Sequence, residues 1–300
     1  MRVSIHVCTK DRHSEVYGLL VCLWQQSFNE WDLVLVDGSM PHPCWLSHDG
    51  CSKMVNQLRL EGHGVHLVRP ELPGVIYARN KAIDEDPWPE NELILRIDDD
   101  SLIDSQFLWY LTNAMIADKS LGAVGCIVPN FGQPEFMRQH PLGVFDRVDW
   151  DNEGNISLSD NGGYSYPQEK GYRKDDFFDK INCEFISGDM GNYYVFTHHC
   201  RSSFLIRRKA LEDIKLCGKV YSDEYGLVGF REETDICLRM AYAGWKLAVM
   251  PELKCWHLRT QSGGCRYGNY AEQVQDADNR FRTKFKNKYL KDGNPFEVKA

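Results

Sequence analysis

The stretch Leu93-Ile94-Leu95-Arg96-Ile97-Asp98-Asp99-Asp100 decides how the chain is read. A short apolar run that ends abruptly in three acids has the length and bounds of a buried strand. The same reading extends outward. Leu33-Val34-Leu35-Val36 closes on the turn signal Asp37-Gly38-Ser39, and Val3–Val7, Val65–Val68 and Val124–Val128 are further strands. Helical spacing separates them. Val16, Leu19, Leu20 and Leu23 share one face, with Ser14 as the expected cap. Tyr77–Asp84 is a second helix, and Phe107, Leu108, Leu111 and Met115 mark a third. Strand and helix in alternation imply an α/β domain with a Rossmann-like, mainly parallel central sheet flanked by helices. Ligands of such sheets bind beyond the carboxyl ends of the strands, where Asp37 and Asp98–Asp100 both fall.

Residues 131–199 are rich in Gly, Asp, Asn, Tyr and Phe and have weak periodicity, the pattern of an inserted binding region with irregular loops and a short hairpin. Order returns with a strand at Phe204–Ile206, a helix from near Glu233 and a strand at Leu247–Met250. Tyr270, Val274, Ala277, Phe281, Phe285 and Tyr289 then form one stripe of a C-terminal helix. The divisions are 1–130, 131–262 and 263–300, the first two being halves of one domain.

The 300 residues are 43% hydrophobic and 26% charged, which excludes wholesale disorder and fibrous repeats. A net charge of −8 argues against a protein that coats nucleic acid over its whole surface. Every apolar run is shorter than a membrane span, and Met1–Val7 reads as a strand rather than a leader, so a soluble, cytoplasmic protein is expected. Eleven cysteines without a Cys-x-x-Cys pair read as small hydrophobes in a reduced compartment.

Three adjacent carboxylates repel one another and call for positive charge. Mn²⁺ or Mg²⁺, which bridges carboxylates to phosphate oxygens, is one source of it. In Gly229-Phe230-Arg231-Glu232-Glu233-Thr234-Asp235, acids open a helix where its dipole favours them, and one can act as a general base. Asp235 and Arg239 are spaced to pair on that helix. His257 follows a strand and reads either as a packed histidine or as a metal ligand.

Taken in order, these segments resemble the family 2 inverting glycosyltransferases of GT-A fold. Val7-Cys8-Thr9-Lys10-Asp11-Arg12 is similar to that family's first strand and loop, and Leu35-Val36-Asp37-Gly38-Ser39 to its second. Ala78-Arg79-Asn80-Lys81-Ala82-Ile83, Asp98-Asp99-Asp100 and Phe204–Leu211 match further motifs. So do Glu232-Glu233-x-Asp235-x-x-x-Arg239 and the late His257. The resemblance covers roughly residues 3–128 and 200–262. It implies a nucleotide-sugar-binding half (1–130) and an acceptor-binding, catalytic half (131–262). Thr9, Arg12 and Asp37 are implied to hold the base and ribose of a nucleotide-sugar donor, most simply a UDP-sugar, with Arg79 near its phosphates. Asp98 is implied at the ribose or the metal's water shell, Asp99 in the same donor site, and Asp100 and His257 on Mn²⁺ or Mg²⁺. Glu233 is the implied base. The family's usual residue there is Asp, so Glu232 and Asp235 stand as alternatives. Arg259 and Arg266, around the loop Ser262-Gly263-Gly264-Cys265-Arg266, are expected to help close over the diphosphate.

The acceptor implied is a hydroxyl of a glycan or lipid-linked precursor. A hydroxylated base in DNA is kept open by the strip Arg280–Lys291, which carries six basic residues and no acid and could touch an anionic surface. Two other classes are weighed against transfer. Nucleotidyltransfer normally needs a glycine-rich loop after the first strand, and Cys8–Arg12 has no glycine. An inactive nucleotide-sugar-binding homologue would have no need of Asp98, Asp100, Glu233 and His257.

Overall fold

The computed structural model describes residues 1–129, 131, 148–158, 183–185, 193–260, 262–264, 266 and 268–296. Most of the inserted region read between 131 and 199, and Cys265 of the later loop, lie outside the described residues.

The sheet begins with β1 (Val3–Thr9), β2 (Trp31–Asp37), β3 (Val65–Val68) and β4 (Leu93–Asp98). They lie in the order β3-β2-β1-β4, all parallel. The chain leaves β1 toward β2 and β3 and later returns on its other side as β4. A crevice therefore opens beyond the carboxyl end of β1. Register aligns that end: Thr9 lies opposite Asp37, and Cys8 opposite Asp98. Every residue of β2 is buried, which is why it carries no polar alternation.

The far half of the sheet is mixed. Strand β6 (Leu121–Ile127) does not pair with β4; β11 (Phe204–Arg207) inserts antiparallel between them. Strand β12 (Lys246–His257) runs parallel to β6, then shifts register between Met250 and Lys254. Its last residues pair instead with a short strand, β5 (Ser101–Ile103), so that His257 faces Ser101. On the other side of β12, β10 (Tyr193–Phe196) and β9 (Cys183–Phe185) follow antiparallel. Two strands, β7 (Val148–Trp150) and β8 (Ile156–Leu158), form a separate hairpin within the inserted region.

Helix α1 (His13–Trp24) buries Val16, Leu19, Leu20 and Leu23, the stripe expected from spacing. Ser14 does not cap it. The N-cap position is Arg12, with no side-chain cap, because its guanidinium is turned toward the acids of β4. Two helices were not anticipated, α2 (Cys44–Ser47) and α3 (Asp49–Leu60). Helices α4 (Val75–Asp84) and α5 (Phe107–Ala117) fall where spacing placed them. Helix α6 (Arg208–Asp213) follows β11, α7 (Glu232–Tyr242) precedes β12, and α8 (Tyr270–Asp292) ends the fold with Ala277, Phe281 and Phe285 buried. Nine cysteines among the described residues are free thiols, and six of these are buried. No helix among the described residues is long and apolar enough to cross a membrane.

Candidate active site

A cavity of about 790 Å³ opens beyond the carboxyl ends of β1 and β4. Among its walls are Thr9, Arg12, Arg79, Asp98, Asp99, Asp100, Glu232, Glu233, His257, Arg259 and Arg266. The acidic triplet, the acids of α7 and the histidine of β12 therefore share one space, although 159 positions separate Asp98 from His257 in the chain. The pairing of β5 with β12 achieves this. It continues into the loop, where the Leu258 amide donates to the Asp100 carbonyl at 2.8 Å.

The triplet is already compensated by side chains from three elements. Arg79 of α4 donates to Asp98 at 2.6 Å, and Arg12 donates to Asp99 at 2.9 Å and lies 3.4 Å from Asp100. Arg96 of β4 lies 3.6 Å from Asp98. Guanidinium groups thus offset much of the repulsion within the triplet. Asp99 is turned inward, accepting from the Thr9 hydroxyl at 2.7 Å. Burial pushes its carboxyl up to about 6, more than Arg12 holds it down. For Asp100, burial alone would raise the pKa; His257, 3.2 Å away, and Arg12 outweigh it and bring the carboxyl below its ordinary value. Burial works against a charged His257, but Asp100 prevails and its pKa is raised.

Arg96 was missed by sequence reasoning. It is buried, and one guanidinium nitrogen lies 2.7 Å from Glu232 and 2.5 Å from Glu233. It also donates to the Ser202 carbonyl. Its signal was available: an arginine inside an otherwise apolar buried strand must find acidic partners. Glu232 is the deeper of the two acids, with 9% of its side chain exposed against 20% for Glu233. Burial first, and the charge of Glu233 next, push Glu232 up to about 7, against the pull of Arg96 and Arg79.

The Glu232 shift has a consequence for stability. Below about pH 4.5 the group is protonated in both folded and unfolded chains. Between there and about 7 the folded protein holds a proton that the unfolded chain releases, so this group's contribution to stability falls as pH rises. Glu232→Gln keeps an acceptor for Arg96 and is expected to flatten the fall in denaturation midpoint across that window. Parallel curves for variant and parent would contradict the assignment.

Two expected site residues do not face the cavity. Asp37 is fully buried, and its carboxylate accepts from the Ser39 amide at 2.7 Å and the Cys44 amide at 2.5 Å. It anchors the turn into α2, and Gly38 beside it reaches the cavity wall. Asp235 is fully buried behind α7, accepting from the Tyr225 hydroxyl at 2.8 Å and from Arg239 at 2.6 Å. It lines no part of the cavity, whereas Glu232 and Glu233 both do.

The later loop is seated on the first one. The Gly264 amide donates to the Lys10 carbonyl at 2.8 Å, and Arg12 donates to the Ser262 carbonyl at 3.0 Å. A Cβ at Gly263 would stand 2.7 Å from the Lys10 carbonyl oxygen, so this approach requires glycine. His199, from the His-His-Cys segment, also lines the cavity, 3.3 Å from the Thr234 hydroxyl.

The basic strip of α8 is largely compensated within the protein. Arg280 pairs with Asp276, Arg282 with Asp278, Lys284 with Asp235 and Lys288 with Asp292, while Lys286 donates to Asn155. These contacts tie the strip to the rest of the fold, while Arg280 and Lys288 keep about half of their side chains exposed.

Asp100 Oδ1 is a buried oxygen with no hydrogen-bond partner, and His257 Nε2 stands 3.2 Å from it. That pair is chemically suited to a divalent cation. No group of three metal-ligating side chains converges among the described residues, so a cation here would draw its other ligands from phosphate and water. Mg²⁺ and Mn²⁺ sites of one or two carboxylates fit that requirement.

The mixed sheet, curled beneath this cleft and flanked by helices, is a GT-A fold. Among solved structures it is similar to GalNAc-T7 crystallised with UDP, GalNAc and Mn²⁺, with TM-score 0.55 and 14% identity, covering 87% of this chain and 44% of that one. It is similar also to the mannosyltransferase PcManGT from Pyrobaculum calidifontis in complex with GDP-Man and Mn²⁺, with TM-score 0.54 and 16% identity, covering 98% of this chain and 66% of that one. The chain thus spans less than two thirds of each. No curated protein sequence matches it. The family model for glycosyl transferase family 2 matches residues 4–215, and the chain belongs to that family. Glu232, Glu233 and His257 lie beyond the matched segment, so their assignment rests on the geometry of the cleft.

Proposed function

We propose that the protein transfers a sugar from a nucleotide-sugar donor, with a UDP-sugar as first choice, to a hydroxyl of a glycan or lipid-linked acceptor, with inversion at the anomeric carbon. The observation that carries this reading is the single cleft that joins Asp98–Asp100 and His257 to Glu232 and Glu233 in a family 2 chain. UDP and GDP-Man with Mn²⁺ in the two similar structures support a nucleotide sugar and a divalent cation.

Thr9, Arg12, Arg79, Asp98 and Asp99 would form the donor site, with Arg259 and Arg266 at its outer wall. Asp100 and His257 would hold Mn²⁺ or Mg²⁺, with Asp98 beside them. When bound, such a cation supplies Lewis-acid stabilisation to a leaving diphosphate. Glu233, the more exposed of the paired acids, would take the acceptor hydroxyl's proton. The freed oxygen bonds to the anomeric carbon as the bond from that carbon to the diphosphate oxygen breaks on the opposite face. The products are an inverted glycoside and a nucleoside diphosphate. Arg96 would keep Glu233 aimed into the cleft.

DNA as acceptor is the second reading and rests on the basic strip of α8, in which Lys284, Lys286 and Lys288 also make contacts within the protein. A nucleotidyltransferase would release pyrophosphate instead of a nucleoside diphosphate. A screen of UDP-, GDP- and other nucleotide sugars with Mn²⁺ separates the readings. Nucleoside diphosphate release and a rise in melting temperature with one nucleotide are expected. Binding without release would leave an inactive homologue, and pyrophosphate release would overturn sugar transfer.

A further inference from the structure

The proposed chemistry leaves α8 without a role, yet this helix grips the segment that carries the paired acids. Asp278 accepts from Arg231 at 2.6 Å and from Arg282 at 2.6 Å. Arg231 immediately precedes Glu232 and has φ of 73°, a left-handed conformation that a non-glycine residue holds only when its surroundings fix it. Its guanidinium also lies 4.6 Å over the Phe230 ring. On the other side of the acids, Lys284 Nζ lies 2.7 Å from the buried carboxylate of Asp235. Glu232 and Glu233 are thus bracketed by Arg231 and Asp235, and each bracket is fastened by a side chain of α8. The helix is itself tied down on its far side. Arg282 donates to the Ile156 carbonyl at 2.7 Å, and Tyr289 stacks on Trp150 of the β7–β8 hairpin at 5.3 Å.

We propose that α8 is a positioning clasp for the base: Asp278 and Lys284 fix the first turn of α7 and so set the direction of Glu233. Neither residue touches substrate in this role. The proposal rests on Glu233 acting in sugar transfer as argued above. It also makes a structural claim that stands apart from turnover: without the clasp, the first turn of α7 loosens while the rest of the fold does not.

The test uses the full chain with Lys284→Met, Asp278→Asn, the conservative Lys284→Arg, and Lys291→Ala as control. Nucleoside diphosphate release, UDP affinity in Mn²⁺ by calorimetry, melting temperature and hydrogen exchange are measured on each. Lys284→Met and Asp278→Asn are expected to lower kcat by roughly ten- to a hundredfold, with donor KM and UDP affinity unchanged. Amides 232–238 should exchange faster in both, with other helices unaffected, and Lys284→Arg should recover most of the loss. Parental kcat in both variants, unchanged exchange at 232–238, or a rise in exchange throughout the molecule would each overturn the clasp. If the parent releases no nucleoside diphosphate from any donor, sugar transfer fails, and the exchange measurement still decides whether α8 holds this turn.

Discussion

Glu233→Gln is expected to lower sugar transfer by roughly 10²–10⁴-fold, the contribution of a positioned general base, while nucleotide affinity stays at the parental value. The amide keeps the size and the oxygen that Arg96 grips at 2.5 Å, so the first turn of α7 should hold its place. What it lacks is a site for the acceptor's proton. Glu232→Gln is the informative companion. Glu232 is more deeply buried and holds its proton to about 7, so its replacement should leave most of the transfer rate. A dead Glu232→Gln beside an active Glu233→Gln would reverse the roles. Initial rates with the donor and acceptor at saturation, together with UDP titrations, distinguish the two outcomes.

Asp100→Ala is expected to lower donor turnover by about a hundredfold or more and to abolish its dependence on Mn²⁺ concentration. The fold should survive, because Arg12 keeps its bond to Asp99 and Arg79 its bond to Asp98. Two readouts besides turnover bear on this. Mn²⁺ should no longer raise UDP affinity, and the His257 pKa should fall from its raised value as the upward pull of Asp100 vanishes. Turnover that still rises with Mn²⁺ in the variant would remove Asp100 from the cation's ligand set.

The halves of this site differ in how visible they are in the sequence. Strand ends at Thr9 and Asp98 can be read because an apolar run stops at a polar residue, and parallel register then brings such ends together. Strand β5 escaped because three residues directly after three acids look like the continuation of a turn. Pairing with β5 brings the end of β12, and with it His257, beside the acids. Arg96 escaped because one charge within Leu93–Ile97 can be excused as a solvent-facing position, and only a strand covered on both faces forbids that. Asp37 illustrates a different limit. A turn anchor and a ligand contact both ask for an acid ahead of Gly38, and only the direction of its oxygens separates them. In α3, the apolar residues Cys51, Val55 and Leu58 do carry helical spacing, which passed unassigned. The engagement of Lys284 with Asp235, 49 residues earlier, leaves no local trace at all.

One strand, β12, belongs to the core at its start and to the cleft at its end. Its irregular stretch between Met250 and Lys254 is the joint between those duties. Gaining or losing a single residue there would carry His257 about 3.3 Å along the strand and turn its ring to the opposite face. The histidine's address is thus written in the length of a kink several residues upstream, and a deletion that left every wall residue in place could still unmake the wall.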